Sequence, residues 1–158
     1  MPALHRRAAT PADEPFLFEL YCAVRAPEFA LLNLPEPLKQ QLIRTQFTAQ
    51  QDGYRFQYPG SGFEIVMQGE RNVGRIWVAR LPDFFELVDI AVMPGKQNSG
   101  IGTELVRELQ REAEAAQKPV RLSVFRFNEG SIRFHRRLGF IPTAEDEIQI
   151  YFEWNTGQ

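Results

Sequence analysis

Residues 88–105 read Val-Asp-Ile-Ala-Val-Met-Pro-Gly-Lys-Gln-Asn-Ser-Gly-Ile-Gly-Thr-Glu-Leu: an apolar run ends in proline, crosses a glycine-punctuated loop and becomes a helix. The loop sits at a helix N-terminus, where unpaired backbone N–H groups point outward and the dipole favours negative charge. Gly100 and Gly102 remove side chains that would block the close approach of a ligand. The pattern is that of a phosphate cradle. It is not a P-loop, because Gly-Lys-Ser/Thr is absent. Nor is it a dinucleotide fingerprint, because the spacing Gln97-x-x-Gly100-x-Gly102 is not G-x-G-x-x-G. On the glycines alone, a tight turn without a ligand is an equal alternative.

The flanking elements build a mixed α/β sheet. Leu4 to Ala8 reads as a strand, and Thr10-Pro11-Ala12-Asp13-Glu14 as a helix start with Thr10 as cap. Phe16, Leu17, Leu20 and Val24 carry that helix to about Arg25, where Ala26-Pro27 breaks it. Leu38, Leu42, Ile43 and Phe47 predict a second helix over 36–51, stopped at Asp52-Gly53. Strands are expected over 63–67, 73–79 and 84–93 with tight turns between them, hence antiparallel. Ile101, Leu105, Leu109 and Ala113 mark one helix face, and Val120 to Val124 alternates as a strand. A strand–helix–strand crossover makes that strand parallel to the one over 84–93. Asn128 caps a helix over 131–138, Gly139 stops it, and 140–141 and 148–154 close the chain as strands. The order is β-α-α-β-β-β-α-β-α-β-β, read as a single domain over 1–158.

Composition removes several classes. A formal charge of −2 over 158 residues gives no electrostatic footprint for nucleic acid. No apolar run approaches membrane-spanning length. The N-terminal Met1-Pro2-Ala3-Leu4-His5-Arg6-Arg7 lacks an apolar signal core, which makes the cytoplasm the default setting. Cys22 is the lone cysteine, so no internal disulfide and no cysteine metal site is expected. Its place in an apolar helical stretch predicts a small core residue.

Gln97-Asn98-Ser99-Gly100-Ile101-Gly102 resembles the R/Q-x-x-G-x-G/A pyrophosphate loop of the GNAT (GCN5-related) N-acetyltransferase superfamily. Asp89-Ile90-Ala91-Val92-Met93-Pro94 is similar to that family's fourth strand. Asn128-Glu129-Gly130-Ser131 with Phe134-His135-Arg136-Arg137-Leu138-Gly139-Phe140 resembles its second signature. The resemblance implies a GNAT-like fold with splayed fourth and fifth strands, and acetyl-CoA as co-substrate without a metal. It implies that the amides of Gln97, Asn98, Ser99, Gly100, Ile101, Gly102 and Thr103 hold the pyrophosphate. The pantetheine arm then lies along Ile90, Ala91 and Val92 like an added strand. Asn128, Ser131 and Phe134 of the second signature join the cofactor site, Asn128 doubling as an N-cap.

Acetyl transfer needs an amine that has lost its proton, since an alkylammonium of pKa about 10 has no lone pair. Glu86 shares a strand face with Val88, Ile90 and Val92 and is the candidate base, with a solvated carboxylate or a water chain as the alternative. Asp89, on the opposite face, needs a partner if buried and reads as structural. Where the family commonly has a tyrosine aimed at the CoA sulfur, this chain has His135, on the inward face with Ser131, Phe134 and Leu138. Either His135 replaces that acid or the reaction does without one.

The acceptor is a small-molecule amine or a peptide amine. Glu28, Glu86 and Asp89 favour a cationic small amine, and most aromatics of the first half are expected in the core. Dimers are frequent in the look-alike family, so a homodimer is kept open. The alternative function is an acyl-CoA-binding regulatory or interaction module with little turnover.

Overall fold

The computed structural model describes residues 3–156. Met1 and Pro2, which open the segment read above as lacking a signal core, lie outside the described residues, as do Gly157 and Gln158. The chain forms two compact units, one of residues up to 77 with 89–99, the other of 78–88 with 100 onward.

In the first unit, β1 (Leu4–Ala8) leads through a 3-10 turn at Pro11–Asp13 into α1 (Glu14–Val24). Thr10 and Asp13 start this segment as the sequence suggests, with the Thr10 amide donating to the Asp13 carboxylate at 2.8 Å. Arg7 closes a fork on Asp13 at 2.8 and 2.7 Å, which holds that carboxyl well below the usual carboxylate range. After Arg25, the chain makes the one-turn α2 (Ala26–Phe29), with Pro27 in its first turn where no N–H is needed. Cys22 is half-buried rather than in the core.

The next helix, α3, spans Glu36–Gln57 and runs past its expected stop. A mid-helix glycine costs about 1 kcal/mol, but Gly53 is carried through because Gln51 and Tyr54 on either side of it are anchored. Tyr54 lies with its ring 5.3 Å from that of Trp77 and bonds Asp89 at 3.1 Å. Tertiary contacts override the local stop signal.

Strands β2 (Phe63–Gln68) and β3 (Arg71–Arg80) pair antiparallel, with a bulge at Val66/Met67. β4 (Phe85–Val92) lies beside β3 in the sheet. Gly74 on β3 faces the β4 backbone so closely that a Cβ there would stand 2.5 Å from the Ala91 carbonyl oxygen. Gly74→Ala is therefore expected to lower stability by about 1–3 kcal/mol through overpacking, read by thermal denaturation. An unchanged melting temperature would mean that the strands part without cost. Leu20, Tyr21, Ile43, Phe47, Ile65 and Trp77 form the core of this unit.

In the second unit, α4 (Ile101–Ala115) buries Ile101, Leu105, Leu109 and Ala113 as its periodicity predicts. It leads to β5 (Val120–Phe125), whose Val120, Leu122 and Val124 are buried while the alternate residues are exposed. Then come α5 (Glu129–Arg137), β6 (Ile141–Glu145) and β7 (Gln149–Trp154). Gln110 is buried on α4 and donates to the Leu138 carbonyl at 2.8 Å, tying the end of α5 to that helix. Gly139 ends α5 at φ +93, the left-handed stop expected of it.

The sheet order is β1-β2-β3-β4-β5-β7-β6. β5 pairs with β7 along its whole length. Its parallel ladder with β4 holds only Phe85 against Val120 and Glu86 against Arg121. Beyond Glu86 the fourth and fifth strands no longer ladder, which leaves main-chain groups for other partners.

Candidate active site

The loop after β4 is built to leave amides open. A 3-10 turn at Pro94–Lys96 uses the N–H groups of Lys96 and Gln97 internally. Gln97 is extended, Asn98 and Gly100 take left-handed φ of 62 and 87, and α4 begins at Ile101. Gly100 occupies the N-cap position and has no side chain with which to cap, so the first amides of α4 lack acceptors. Among the described residues, the N–H groups of Asn98, Ser99 and Gly100 also have no backbone partner. Ser99 turns its hydroxyl back to the Lys96 carbonyl. The two glycines differ in role. Gly100 supplies the left-handed turn, whereas a Cβ at Gly102 would stand 3.3 Å from Phe134 Cζ. Phe134 packs on the first turn of α4. Upstream, Ile90, Ala91 and Val92 are half-buried.

On α5, Asn128 is a true N-cap, its Oδ1 accepting from the Ser131 amide at 3.1 Å. His135 is 4% exposed, with the rings of Phe134 and Phe140 centred 4.9 and 5.6 Å away. Its Nδ1 lies 2.9 Å from the Ser131 carbonyl, which can only accept, so Nδ1 carries the proton and Nε2 the lone pair. Nε2 is buried without a partner among the described residues. Burial pushes the imidazole pKa down, so the ring is neutral at pH 7. Arg133, Arg136 and Arg137 are exposed, a solvated basic face.

Glu86 is half-buried on β4, and burial pushes its carboxyl up to about 7. Arg121, opposite it in the parallel register, lowers that pKa but does not reverse the shift. The Arg121 guanidinium is committed elsewhere, bonding Glu153 at 2.8 Å and lying 4.3 Å from the centre of the Phe84 ring. Asp89 is instead fully engaged, bonded by Arg75 at 3.0 and 3.2 Å and by Tyr54, which supports its structural reading.

Arg75 is the residue that sequence reasoning passed over. A lone arginine inside the apolar run 73–79 was the available signal, since a buried charge requires a partner of opposite sign. Of the aromatics of the first half, Tyr21, Phe29 and Phe47 are core as expected, while Phe56 is 90% exposed.

A model of the acetyltransferase (GNAT) family matches residues 28–140, a stretch that includes the open-amide loop, Glu86 and α5. The chain belongs to the GNAT acetyltransferase family. The GNAT fold is shared along nearly its whole length with PaiA N-acetyltransferase of Thermoplasma acidophilum, solved in complex with coenzyme A. That pair has 17% identity and a TM-score of 0.72 over 97% of this chain and 99% of the other. The ribosomal-protein-S18-alanine N-acetyltransferase of Escherichia coli is similar at 17% identity and TM-score 0.67, over 99% and 96%. An acetyltransferase of Thermus thermophilus is similar at 18% and 0.68, over 98% and 99%. No match is found among curated protein sequences. No helix among the described residues is long and apolar enough to cross a membrane.

Proposed function

We propose that this GNAT protein moves an acetyl group from acetyl-CoA to a primary amine, a small amine in preference to a peptide, by direct attack through a tetrahedral intermediate. The observation that carries the reading is the run of unpartnered amides at Asn98, Ser99 and Gly100 ahead of an uncapped helix, suited to a diphosphate. Ile101, Gly102 and Thr103 complete that cradle, whereas the Gln97 amide, which the resemblance implied for it, is already spent on the Pro94 carbonyl. Backbone groups of Ile90, Ala91 and Val92 take the pantetheine amides, and Asn128, Ser131 and Phe134 border the cofactor.

The chemistry assigns one proton to each titratable group. The ammonium of the acceptor loses its first proton to Glu86, whose pKa of about 7 suits a base working at neutral pH. The free amine attacks the thioester carbon, and a backbone N–H near Ile90 or Val92 receives the oxyanion. The nitrogen of the intermediate gives its second proton to His135 Nε2, which carries the lone pair, as the C–S bond breaks. The imidazolium then protonates the leaving thiolate.

His135→Ala is expected to lower kcat by at least tenfold with little change in acetyl-CoA affinity, and His135→Tyr to retain activity. Equal turnover in wild type and His135→Ala would remove the residue from the reaction. The function itself is tested by thiol release from acetyl-CoA over a panel of amines. Release with any of them supports transfer; binding of acetyl-CoA with release on none would make the protein a binding module.

A further inference from the structure

The first compact unit holds a second polar centre in which one arginine is paired and another is not. Arg75, 4% exposed, directs Nε and Nη2 to the two oxygens of Asp89. The Tyr54 hydroxyl donates to the same carboxylate at 3.1 Å, so Asp89 is occupied on both oxygens. Burial, then the Asp89 charge, push the Tyr54 hydroxyl up and keep it a donor. Arg75 Nη1 is buried with no partner among the described residues. A second guanidinium stands close by. Arg25 is half-buried, donates to the Tyr21 hydroxyl, and has its guanidinium carbon 4.8 Å from the centre of the Tyr21 ring. The Arg75 guanidinium carbon lies 5.9 Å from that same ring and 5.0 Å from the centre of Phe63.

Two guanidiniums thus flank one tyrosine, and one carboxylate answers them. Arg25 has no carboxylate within ion-pair distance among the described residues. Glu28, the remaining acid of the neighbourhood, acts on Tyr21 electrostatically from an exposed position. The sequence alone favoured a cationic acceptor on the strength of Glu28, Glu86 and Asp89; the ion pair with Arg75 withdraws Asp89 from that set. What remains is an aromatic-walled centre, partly open at Arg25 and Tyr54, in which Arg75 is paired with Asp89 and the Arg25 guanidinium has no ion-pair partner among the described residues. A planar guanidinium with free donors, its ring-stacked face already fixed, matches a carboxylate in both charge and shape.

We infer that the acceptor is an amine that also carries a carboxylate, gripped by the free edge of Arg25, the guanidinium left without a counter-charge beside the neutral Arg75–Asp89 pair. This rests on the acyltransferase reading and names the substrate class of that site. Tyr21, whose hydroxyl accepts from Arg25, is the positioning residue for that guanidinium.

Two measurements on the full chain test it. The first is thiol release from acetyl-CoA with matched amines, glycine and β-alanine against glycinamide, β-alaninamide and simple alkylamines. The second is calorimetric titration of the protein with N-acetylglycine and N-acetylglycinamide, which reads the anion site without turnover. The acids are expected to exceed the amides at least tenfold, in kcat/KM and in affinity. Arg25→Gln is expected to bring both ratios within about threefold, with Arg25→Lys in between. Amides or alkylamines that equal the acids, or an acid preference that survives in Arg25→Gln, would overturn the inference. Acid binding that depends on Arg25, with no thiol release on any amine, would keep the anion site and remove the transfer reading. Release with amides or alkylamines preferred would do the reverse, and neither binding nor release would remove both.

Discussion

Replacing Glu86 by glutamine is expected to lower kcat by roughly 10²- to 10⁴-fold, the usual contribution of a positioned base, while raising the melting temperature at pH 8. Both effects have one cause. Burial makes the charged form of this carboxylate costly and lifts its pKa from 4.5 to about 7. The folded protein therefore holds the Glu86 proton more tightly than the unfolded chain does. Between pH 4.5 and about 7 the unfolded chain has released it and the folded one has not, so stability falls as pH rises through that window. Above it, the full penalty of a buried charge is present. Glutamine carries no charge, so the variant gains nothing below pH 4.5 and gains most above pH 7. The wild-type rate should follow the opposite slope, rising with pH to half its plateau near 7. A variant with unchanged kcat and an unchanged pH profile would hand the base role to water.

Arg75→Met is expected to cost about 3–5 kcal/mol of stability, because it leaves Asp89 as an uncompensated buried charge. For a chain of this length, each kcal/mol moves the melting temperature by roughly 2–4 °C, so a fall on the order of 10 °C should be read by calorimetry. The side chains of Arg75 and Asp89 are 5% and 10% exposed, so water compensates little. The double variant Arg75→Met/Asp89→Leu should recover most of the loss, since removing both charges of a buried pair is often close to neutral. A double variant as unstable as the single one would mean that the loss comes from the stacking of Arg75 on Phe63 and Tyr21 and not from charge.

What could be read ahead of the structure followed from local periodicity and backbone chemistry. Ile101, Leu105, Leu109 and Ala113 repeat at helical spacing, and Val120, Leu122 and Val124 alternate, so each fixed its own element and buried face. The open-amide loop was legible because it is made of main chain, and Gly100 marks where that chain turns left-handed. The inward aim of His135 followed from its spacing to Ser131 and Leu138. Its tautomer did not, because the choice between Nδ1 and Nε2 is made by the hydrogen bond to the Ser131 carbonyl, which spacing alone does not show. The overrun of α3 past Gly53 and the Arg75–Asp89 pair escaped for a related reason. Both depend on partners that the chain brings together only on folding, Tyr54 with Asp89 across 35 positions and Arg75 with Asp89 across 14.

The proposed function stands on the amides from Asn98 to Thr103 gripping the diphosphate of an acyl-CoA. Calorimetric titration with acetyl-CoA, with the acetyl thioester of dephospho-CoA and with S-acetylpantetheine tests it directly. The two diphosphate-bearing thioesters are expected to bind at least 100-fold more tightly than S-acetylpantetheine, which keeps the arm and the acetyl group but has no diphosphate. Equal affinity for all three would contradict it.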